Sequence, residues 1–319
     1  MAMRQRSLTV DVPIPETVPR RPWRVDREQL VGKAMLLPTV LILVGLVLYP
    51  FLYSIWLSFS DKTIGSAGRF VGLANFRYVI AWPQFSTALA NTVVFTVCAV
   101  AIKLVLGMVV ALVLNQQIRG RNFFRAFLLL PWVMPAFVVY LVWRWLFDPL
   151  SGLINYALLD LGILQTPVAF LSERSTAMAS VIVAHCWRAF PFFAISFLAG
   201  MQTIAQELYD AAQVDGASRW QQFRHVTLPL LTPIIAVVMT FSVLFTFTDF
   251  QLIYVLTRGG PLNATHLMAT LSFQRGIPGG ALGEGAALAM LMVPFLLAAI
   301  LVSWFGLQRR KWQQGQDND

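Results

Sequence analysis

One polar loop between two apolar runs decides how this chain is interpreted. Residues 203–229 read TIAQELYDAAQVDGASRWQQFRHVTLP. A Ser or Thr followed three residues later by Gln is the spacing of a capping box at a helix start. Two such pairs occur, Thr203 with Gln206 and Ser218 with Gln221. Gly216 falls between them, where a helix can end in a left-handed turn. The loop therefore predicts helix, glycine elbow and helix, with Pro229 opening the next span.

Apolar runs of membrane-spanning length lie on both sides of this loop. Of the 319 residues, 57% are hydrophobic and 12% are charged, whereas a soluble domain carries about 25% charged residues. Each run approaches or exceeds the roughly 20 residues that cross the hydrocarbon of a bilayer. The predicted spans cover residues 34–58, 88–114, 123–147, 176–200, 230–256 and 285–306. The sequence thus predicts an all-α membrane protein with six transmembrane helices.

The distribution of Lys and Arg predicts the orientation of the chain. Six spans place both termini on one side of the membrane. Most Lys and Arg outside the apolar runs lie in the N-terminal segment, the second and fourth loops and the tail, so the positive-inside rule puts these parts in the cytoplasm. We predict a cytoplasmic segment 1–33, a transmembrane domain 34–306 containing the loop 203–229, and a cytoplasmic tail 307–319. The outer loops have room for short helices, but not for a large external domain.

The first predicted helix of the loop carries side chains suited to a protein contact. Two small alanines allow another backbone to approach closely, Leu and Tyr offer apolar contact, and two carboxylates can accept from an arginine. In chain order these residues are Glu207, Leu208, Tyr209, Asp210, Ala211 and Ala212. In the second helix, Trp220 and Phe223 lie three apart and can pack back onto the bundle. Helix physics alone leaves a second interpretation equally open, which is an amphipathic hairpin lying on the inner leaflet.

The spacing within the loop resembles a known signature. Asp210-Ala211-Ala212 is followed after three residues by Gly216, and after nine more by Val-Thr-Leu-Pro ending at Pro229. This closely resembles the EAA loop of bacterial ABC importer permeases, in which EAA, three residues, Gly and nine residues precede Ile-x-Leu-Pro. Asp210 stands for Glu and Val226 for Ile, which keeps the carboxylate and the apolar contact. Over residues 34–306 the chain is similar to sugar permeases of the maltose, lactose and glycerol-3-phosphate type.

The resemblance implies a type I ABC importer permease fold, located in the bacterial plasma (inner) membrane. In this family two permeases form the pathway, two cytoplasmic ATP-binding cassette subunits hold ATP and Mg, and an extracytoplasmic solute-binding protein delivers the solute. The chain itself would be a transport subunit that binds no cofactor and is not an enzyme. Residues 207–216 would form the coupling helix, with Asp210 pairing with an ATPase arginine. The implied ATPase-coupling residues are Glu207, Tyr209, Asp210, Ala211, Ala212, Asp215 and Gly216.

Three charged residues lie inside the predicted spans. Lys103 and Arg188 map near the middle of the bilayer, and Asp249 lies nearer the outer side. Because a charge at this depth is costly, it usually faces a partner or a cavity. One interpretation is an Arg188–Asp249 pair, or Lys103 bonded to backbone carbonyls. The other is that the cations line the translocation cavity, where two cations against one carboxylate favour an anionic sugar or sugar phosphate.

Aromatic and polar residues near these charges are candidates for a sugar site. The predicted substrate-binding residues are Lys103, Trp187, Arg188, Phe190, Phe245, Thr248, Asp249 and Gln251, and Phe193 and Phe247 could add aromatic faces. Helix packing is the alternative for each of these aromatic side chains. His185 is interpreted as a packed polar residue, because no metal-ligating side chain shares its helical face. We therefore predict no metal site.

Other functional classes are disfavoured by what the sequence contains. The net charge of +9 is explained by orientation in the bilayer, so nucleic acid is not a predicted partner. No Gly-x-x-x-x-Gly-Lys-Ser/Thr string occurs, so the chain does not bind ATP by that route. Cys98 and Cys186 both lie in apolar runs, which argues against a structural disulfide.

The leading hypothesis is a permease subunit of an ATP-driven importer for a sugar, a sugar derivative or a polyol. An ion-gradient-driven secondary transporter is the first alternative. The EAA spacing and the lack of an internal repeat argue against it. A membrane scaffold without a transport role is the second alternative, and coupling of ATP hydrolysis to solute would exclude it.

Overall fold

The computed structural model describes residues 27–117 and 119–313. The chain divides into two units, Met1–Leu52 and Tyr53–Asp319. Helix α1 (Arg27–Leu43) lies in the first unit and continues into a π-helical turn over Val44–Leu48. Helix α2 (Tyr49–Ser58) follows directly.

The rest of the described chain is helical apart from its connecting loops. In order, the helices are α3 (Ala74–Ala81), α4 (Pro83–Asn115), α5 (Arg121–Val133), α6 (Ala136–Leu146), α7 (Leu153–Asp160), α8 (Arg174–Met201), α9 (Gln206–Val214), α10 (Arg219–Gln222), α11 (Leu228–Phe247), α12 (Gln251–Leu256), α13 (Met268–Gly276) and α14 (Leu282–Gln313). A second π-helical turn, Phe223–Thr227, joins α10 to α11. The predicted all-α class is confirmed for the described residues.

Five helical segments of the described chain are long and apolar enough to cross a membrane, and a bent pair of helices supplies a sixth candidate. The five are Ala34–Ser58, Pro83–Asn115, Arg174–Met201, Arg219–Phe247 and Leu282–Val302. The predicted count of six therefore holds if the bent pair, α5 and α6, is one span. The cytoplasmic position of both termini stays a prediction.

The third predicted span, 123–147, is wrong as a single straight helix. Helices α5 and α6 meet at an angle of 90°. Met134 and Pro135 between them have extended backbone, with ψ values of 142° and 128°. A residue before proline avoids the α region, and proline cannot donate the backbone hydrogen bond that continues a helix. The Met-Pro pair therefore breaks the span.

The fifth predicted span, 230–256, is wrong at both ends. Its helix begins earlier because α10 runs into α11 through the π turn, where the Leu228 N–H donates to the Phe223 carbonyl. Such a turn accommodates Pro229, which cannot make the normal helical bond. The prediction that Pro229 opens a new helix is therefore wrong. At the other end α11 stops at Phe247, and α12 starts at Gln251.

Helices α4 and α8 form the central pair of the second unit. A Cβ atom placed on Gly107 would lie 2.4 Å from the Cβ of Phe193, so only glycine allows this approach. Helix α11 contacts both of these helices. The buried Cys186 belongs to the same interface, and it and the exposed Cys98 are both free thiols. This group of three helices positions the internal site.

The ends of the predicted transmembrane domain differ from the helices in the structure. Helix α1 begins at Arg27, inside the predicted N-terminal segment 1–33, of which residues 1–26 lie outside the described residues. Helix α14 continues to Gln313 through the predicted tail 307–319, and residues 314–319 lie outside the described residues. Short helices α3, α7 and α13 occupy loops between spans, as the loop lengths predicted.

Candidate functional site

Gly216 forms the elbow between the two helices of the loop. Its φ of +77° lies in the left-handed region that glycine adopts without steric cost. Helix α9 ends in a Schellman motif, in which the Ala217 N–H donates to the Ala212 carbonyl at 2.9 Å and the Gly216 N–H donates to the Gln213 carbonyl at 3.0 Å. The predicted helix, glycine elbow and helix are confirmed.

Of the two predicted capping boxes, the second forms and the first does not. The Ser218 hydroxyl accepts from the Gln221 N–H at 3.4 Å, and the Gln221 side chain accepts from the Ser218 N–H at 2.7 Å. The Thr203 hydroxyl instead donates to the Gly200 carbonyl at 2.8 Å in the last turn of α8. Helix α9 begins after Ala205, whose methyl group cannot cap it.

Helix α9 has one fully exposed face. Residues at i, i+3, i+4 and i+7 lie on one side of a helix, and here they are Glu207, Asp210, Ala211 and Val214, all exposed. Val214 has 89% of its surface exposed. The Gln206 side chain donates to Asp210 Oδ1 at 3.1 Å. This face combines two carboxylates with small and apolar side chains. Asp215 and Gly216 extend the exposed surface into the elbow.

The opposite face of α9 is held against its own chain. Tyr209 and Ala212 are half-buried, and the Tyr209 hydroxyl lies 3.0 Å from Thr227 Oγ1 in the π turn. Tyr209 therefore fixes α9 against the start of α11. The Trp220 and Phe223 rings lie 5.5 Å apart; Phe223 packs on the bundle as predicted, but Trp220 is 66% exposed.

A cavity of about 390 Å³ lies among α4, α5, α6, α8 and the break between α11 and α12. Its lining residues are Lys103, Trp132, Ala136, Tyr140, His185, Arg188, Ala189, Phe192, Phe193, Ser242, Phe245, Thr246, Thr248, Asp249, Phe250 and Gln251. Six of the eight predicted substrate-binding residues are among them. The other two, Trp187 and Phe190, do not line it. The Trp187 ring lies edge-on to Trp143 at 5.7 Å.

The buried charges of the cavity wall are connected through His185. Lys103 Nζ donates to Thr246 Oγ1 at 2.8 Å and lies 3.1 Å from His185 Nε2. On its other side, His185 Nδ1 lies 3.2 Å from Asp249 Oδ2, although the N–H does not point directly at that oxygen. The predicted Arg188–Asp249 pair and the predicted bonding of Lys103 to backbone carbonyls are both wrong. Asp249 lies next to His185 instead, and Lys103 contacts the side chains of His185 and Thr246.

Arg188 is the cation of this cavity that keeps unused hydrogen-bonding capacity. Its Nε is buried and has no hydrogen-bond partner among the described residues. Its guanidinium carbon lies 5.9 Å from the centre of the Tyr140 ring. Among the described residues, Asp249 lies near His185 and Glu284 pairs with Arg275, and neither contact includes Arg188. The cavity therefore contains a guanidinium that bonds the Tyr140 side chain, forms no ion pair with a described residue and keeps an unused Nε–H.

Sequence reasoning missed the link between His185 and the predicted charges. His185 is buried, and Phe95 lies edge-on to it at 5.1 Å, so the prediction of a packed polar residue holds but is incomplete. The sequence spacing carried a signal in two i, i+3 pairs, His185 with Arg188 on α8, and Thr246 with Asp249 across the end of α11. Tyr140 and Trp132 were missed because the bend that turns them inward was not predicted.

Two charged groups outside the spans are held by local hydrogen bonds. Backbone N–H groups of Ser151 and Leu150 donate to the carboxylate of Asp148 and lower its pKa. The bond from Arg275 to Glu284 raises the pKa of the guanidinium, which also lies 5.5 Å from the ring centre of Trp82. Both groups stay charged at neutral pH. Among the described residues, no three His, Cys, Asp or Glu side chains converge on a position for a metal ion.

Comparisons with known proteins agree with this arrangement. The family model for "Binding-protein-dependent transport system inner membrane component" matches residues 103–314. The trehalose/maltose transport system permease protein MalF of Thermococcus litoralis is 34% identical over 277 residues, covering 86% of this chain and 93% of that protein. The inner membrane ABC transporter permease protein YcjO of Escherichia coli (strain K12) is 35% identical over 274 residues, covering 84% of this chain and 91% of that protein.

A solved structure has the same fold. It is a bacterial ABC transporter involved in the import of the acidic polysaccharide alginate, matched with a TM-score of 0.78 and 23% identity over 89% of this chain and 97% of that chain. The family model and the relatives identify a membrane permease, a transport subunit rather than an enzyme. The chain belongs to the family of inner membrane components of binding-protein-dependent transport systems. It is a multi-pass inner membrane protein and a permease subunit of an ABC importer.

Proposed function

We propose that this permease takes up a sugar, a sugar derivative or a polyol, and that it prefers an anionic solute. The observation that carries the proposal is the Arg188 guanidinium, which forms no ion pair with a described residue and keeps an unused Nε–H, in a cavity that also presents hydroxyl, amide and aromatic groups. Sugars are bound by such mixtures because aromatic rings cover their apolar faces and polar groups bond their hydroxyls. Relatives named for trehalose and maltose transport support the sugar class.

The solute contacts that we propose are Arg188, Phe245, Thr248 and Gln251. All four line the cavity, whose volume of about 390 Å³ lies within the roughly 300–1,000 Å³ of typical ligand pockets. A charge-assisted bond from Arg188 to a carboxylate or phosphate would be stronger than a bond to a neutral hydroxyl. The alginate importer, whose substrate is acidic, shares the fold and is consistent with this preference.

The exposed face of α9 is the proposed contact with an ATPase. A second homologous permease would complete the pathway, two ATP-binding cassette subunits would hold ATP and Mg, and an extracytoplasmic solute-binding protein would deliver the solute. Asp210 would accept from an arginine of the ATPase, and Glu207, Ala211 and Val214 would lie in its surface groove. Ala212 and Asp215 would border this contact. This assignment requires the loop to face the cytoplasm, as the Lys and Arg distribution predicts.

The loop is built to transmit movement as a rigid body. Helix α10 continues without a break into α11, and Tyr209 connects α9 to the same segment through Thr227. Movement of α9 with a closing ATPase would therefore move α11 and the end of α8. Such rocking of spans about a central site gives alternating access.

Transport by the reconstituted complex tests the proposal. The permease, its partner subunits and the binding protein are placed in liposomes, and ATP-dependent uptake of radiolabelled trehalose, maltose, glycerol 3-phosphate and galacturonate is measured. We expect Arg188→Ala to lower uptake of the anionic solutes about 10- to 100-fold, the loss of one charge-assisted contact. Arg77→Ala, an exposed arginine of α3, is the matched control and should transport normally.

Three results would contradict the proposal. Uptake that follows an ion gradient without ATP would indicate a secondary transporter. ATP hydrolysis that no solute of the panel stimulates, in a complex that is fully assembled, would indicate a scaffold. Normal uptake of anionic solutes by Arg188→Ala would remove Arg188 from the site.

A further inference from the structure

The ammonium group of Lys103 is enclosed by side chains inside the protein. Lys103 is 2% exposed. Thr246 Oγ1 and His185 Nε2 lie within hydrogen-bond distance, at 2.8 and 3.1 Å, and the Phe193 ring centre lies 5.6 Å from Nζ. An ammonium group has three donors, and an aromatic face within about 6 Å accepts a cation. Two donors of Lys103 are thus held by side chains, the Phe193 ring lies beside the ammonium group, and little of the residue is open to a solute.

The geometry fixes the tautomer of His185. A charged ammonium group can only donate, so Nε2 of His185 must accept and cannot carry a proton. The proton of the neutral ring then lies on Nδ1, which is 3.2 Å from the Asp249 carboxylate. A neutral imidazole thus stands between a cation and an anion, and each charge is compensated through it.

Both carboxylate oxygens of Asp249 lie close to nitrogen atoms of the protein. Oδ2 faces His185, and Oδ1 accepts from the Leu252 N–H at 3.2 Å, in the first turn of α12. The carboxylate therefore holds the start of α12 against α8. Arg188 is the other charged group near His185, and it lies over Tyr140.

We propose that Lys103, His185 and Asp249 form a charge-compensated bridge that positions the cavity wall without contacting the solute, which leaves Arg188 as the residue that selects it. This inference rests on the proposed function for its selectivity readout. The bridge connects α4, α8 and the break after α11. Helices α8 and α11 are the two spans that flank the coupling loop, so the bridge makes them one body beside the cavity. From Met201 at the loop, His185 is about 24 Å away along α8. Because α8 and α11 would then move together rather than slide past each other, movement of the loop would displace the cavity wall.

The tautomer is tested on the wild-type protein. The permease is labelled with ¹⁵N-histidine and assembled with unlabelled partners in lipid. The chain contains three histidines, so the His185 signals are identified as those lost in His185→Gln. We expect a neutral ring with the proton on Nδ1. A ring protonated on Nε2, alone or together with Nδ1, would overturn the bridge, because Lys103 could not then donate to it.

Charge compensation is tested by a double-mutant cycle on the assembled complex. Lys103→Met and Asp249→Asn each leave one buried charge without its counterpart, and we expect each to lower the melting temperature by roughly 5 °C or more. The double variant removes both charges and should melt above either single variant. Lys103→Met combined with Glu284→Gln, which lies in another contact, is the control and should give additive decreases. Additive decreases in the Lys103–Asp249 pair would refute compensation.

The selectivity readout separates this inference from the proposed function. In the double variant, the ratio of galacturonate uptake to trehalose uptake should equal that of the wild type, whereas Arg188→Ala should change it at least 10-fold. A changed ratio in the double variant would show that the bridge contacts the solute. If neither solute is transported by the wild type, the proposed solute class fails, and the tautomer and melting results still decide whether the bridge exists. If none of the Lys103 and Asp249 variants assembles, the tautomer decides it.

Discussion

Replacing Gly216 by valine should separate ATP hydrolysis from solute uptake. Gly216 has a φ of +77°, and a Cβ atom placed on it would meet no atom of the described chain within 4 Å. The substitution therefore adds no clash. Its effect comes from the backbone, because a β-branched residue in the left-handed region is strained.

The size of this effect follows from the backbone geometry. An L-residue in the left-handed conformation costs roughly 1–2 kcal/mol, and a cost of that size changes a population about 5- to 30-fold. The Schellman bonds of Gly216 and Ala217 depend on this conformation. We expect the open elbow to become about 5- to 30-fold more populated, and in that state α9 is no longer held at a fixed angle to α10. The bundle itself does not depend on these bonds.

Two variants serve as controls in the liposome assay of uptake per ATP hydrolysed. Gly216→Asn should stay coupled, because asparagine tolerates the left-handed region. Gly162→Val places the same strain in another open loop, where φ is +68° and a Cβ atom meets no described atom within 4 Å, and it should also stay coupled. Gly216→Val should assemble but transport about 5- to 30-fold less solute per ATP.

The reasoning is refuted if Gly216→Val transports with wild-type coupling. It is equally refuted if Gly162→Val is uncoupled to the same degree, since the effect would then not depend on the loop. A Gly216→Val subunit that fails to insert would contradict the claim that the elbow is independent of the bundle.

Three further predictions concern the loop and the core. Asp210→Arg should leave the subunit inserted but abolish co-purification of the ATPase, because it places a cation opposite the proposed arginine; retained co-purification would contradict the contact. Tyr209→Phe should lower stability of the loop by about 0.5–1.5 kcal/mol, measured as faster proteolysis at the elbow, and unchanged cleavage would mean that the hydroxyl does not hold α9. Gly107→Ala should destabilise the folded complex by roughly 1–3 kcal/mol in thermal unfolding, because its Cβ would overlap Phe193, whereas Gly276→Ala, whose Cβ has a normal 3.5 Å contact, should be milder.

The loop was predictable because its structure is local. A left-handed glycine and a capping box depend on residues within one or two turns, so Gly216 and Ser218 behave as their spacing indicates. Thr203 has the same spacing but lies directly after α8, and its hydroxyl bonds the last turn of that helix instead. A hydroxyl with this spacing can thus bond either the helix that follows it or the helix that precedes it. At Thr203, the position at which α8 ends decides in favour of the preceding helix.

The broken spans were not predictable from hydropathy. The runs around Met134 and Thr248 stay apolar enough to read as continuous helices, although the backbone leaves the helical path at both places. The signal lay in single residues. A proline follows Met134, and after Thr248 the Asp249 carboxylate accepts from the Leu252 N–H in the first turn of α12. A hydropathy value averaged over a whole span does not detect either residue.

The cavity was predicted in composition but not in connectivity. Lys103, Arg188 and Asp249 were recognised as costly intramembrane charges, and all three line the cavity. Which of them pair depends on the relative rotation of three helices, and no periodicity in one helix contains that information. His185 lies between two of them, which changes Lys103 from a predicted solute contact into a buried residue held by Thr246 and His185.

Cross-linking from the exposed face of α9 would decide whether the loop contacts the ATPase. In a Cys98→Ser background, Val214→Cys and Leu262→Cys present equally exposed thiols, since both native side chains are 89% exposed. A short thiol-reactive cross-linker is added to the assembled complex in membranes. We expect Val214→Cys to be linked to the ATP-binding cassette subunit and Leu262→Cys not to be linked. Absence of the Val214 product, or equal linkage from Leu262→Cys, would contradict the role of this loop as the coupling element.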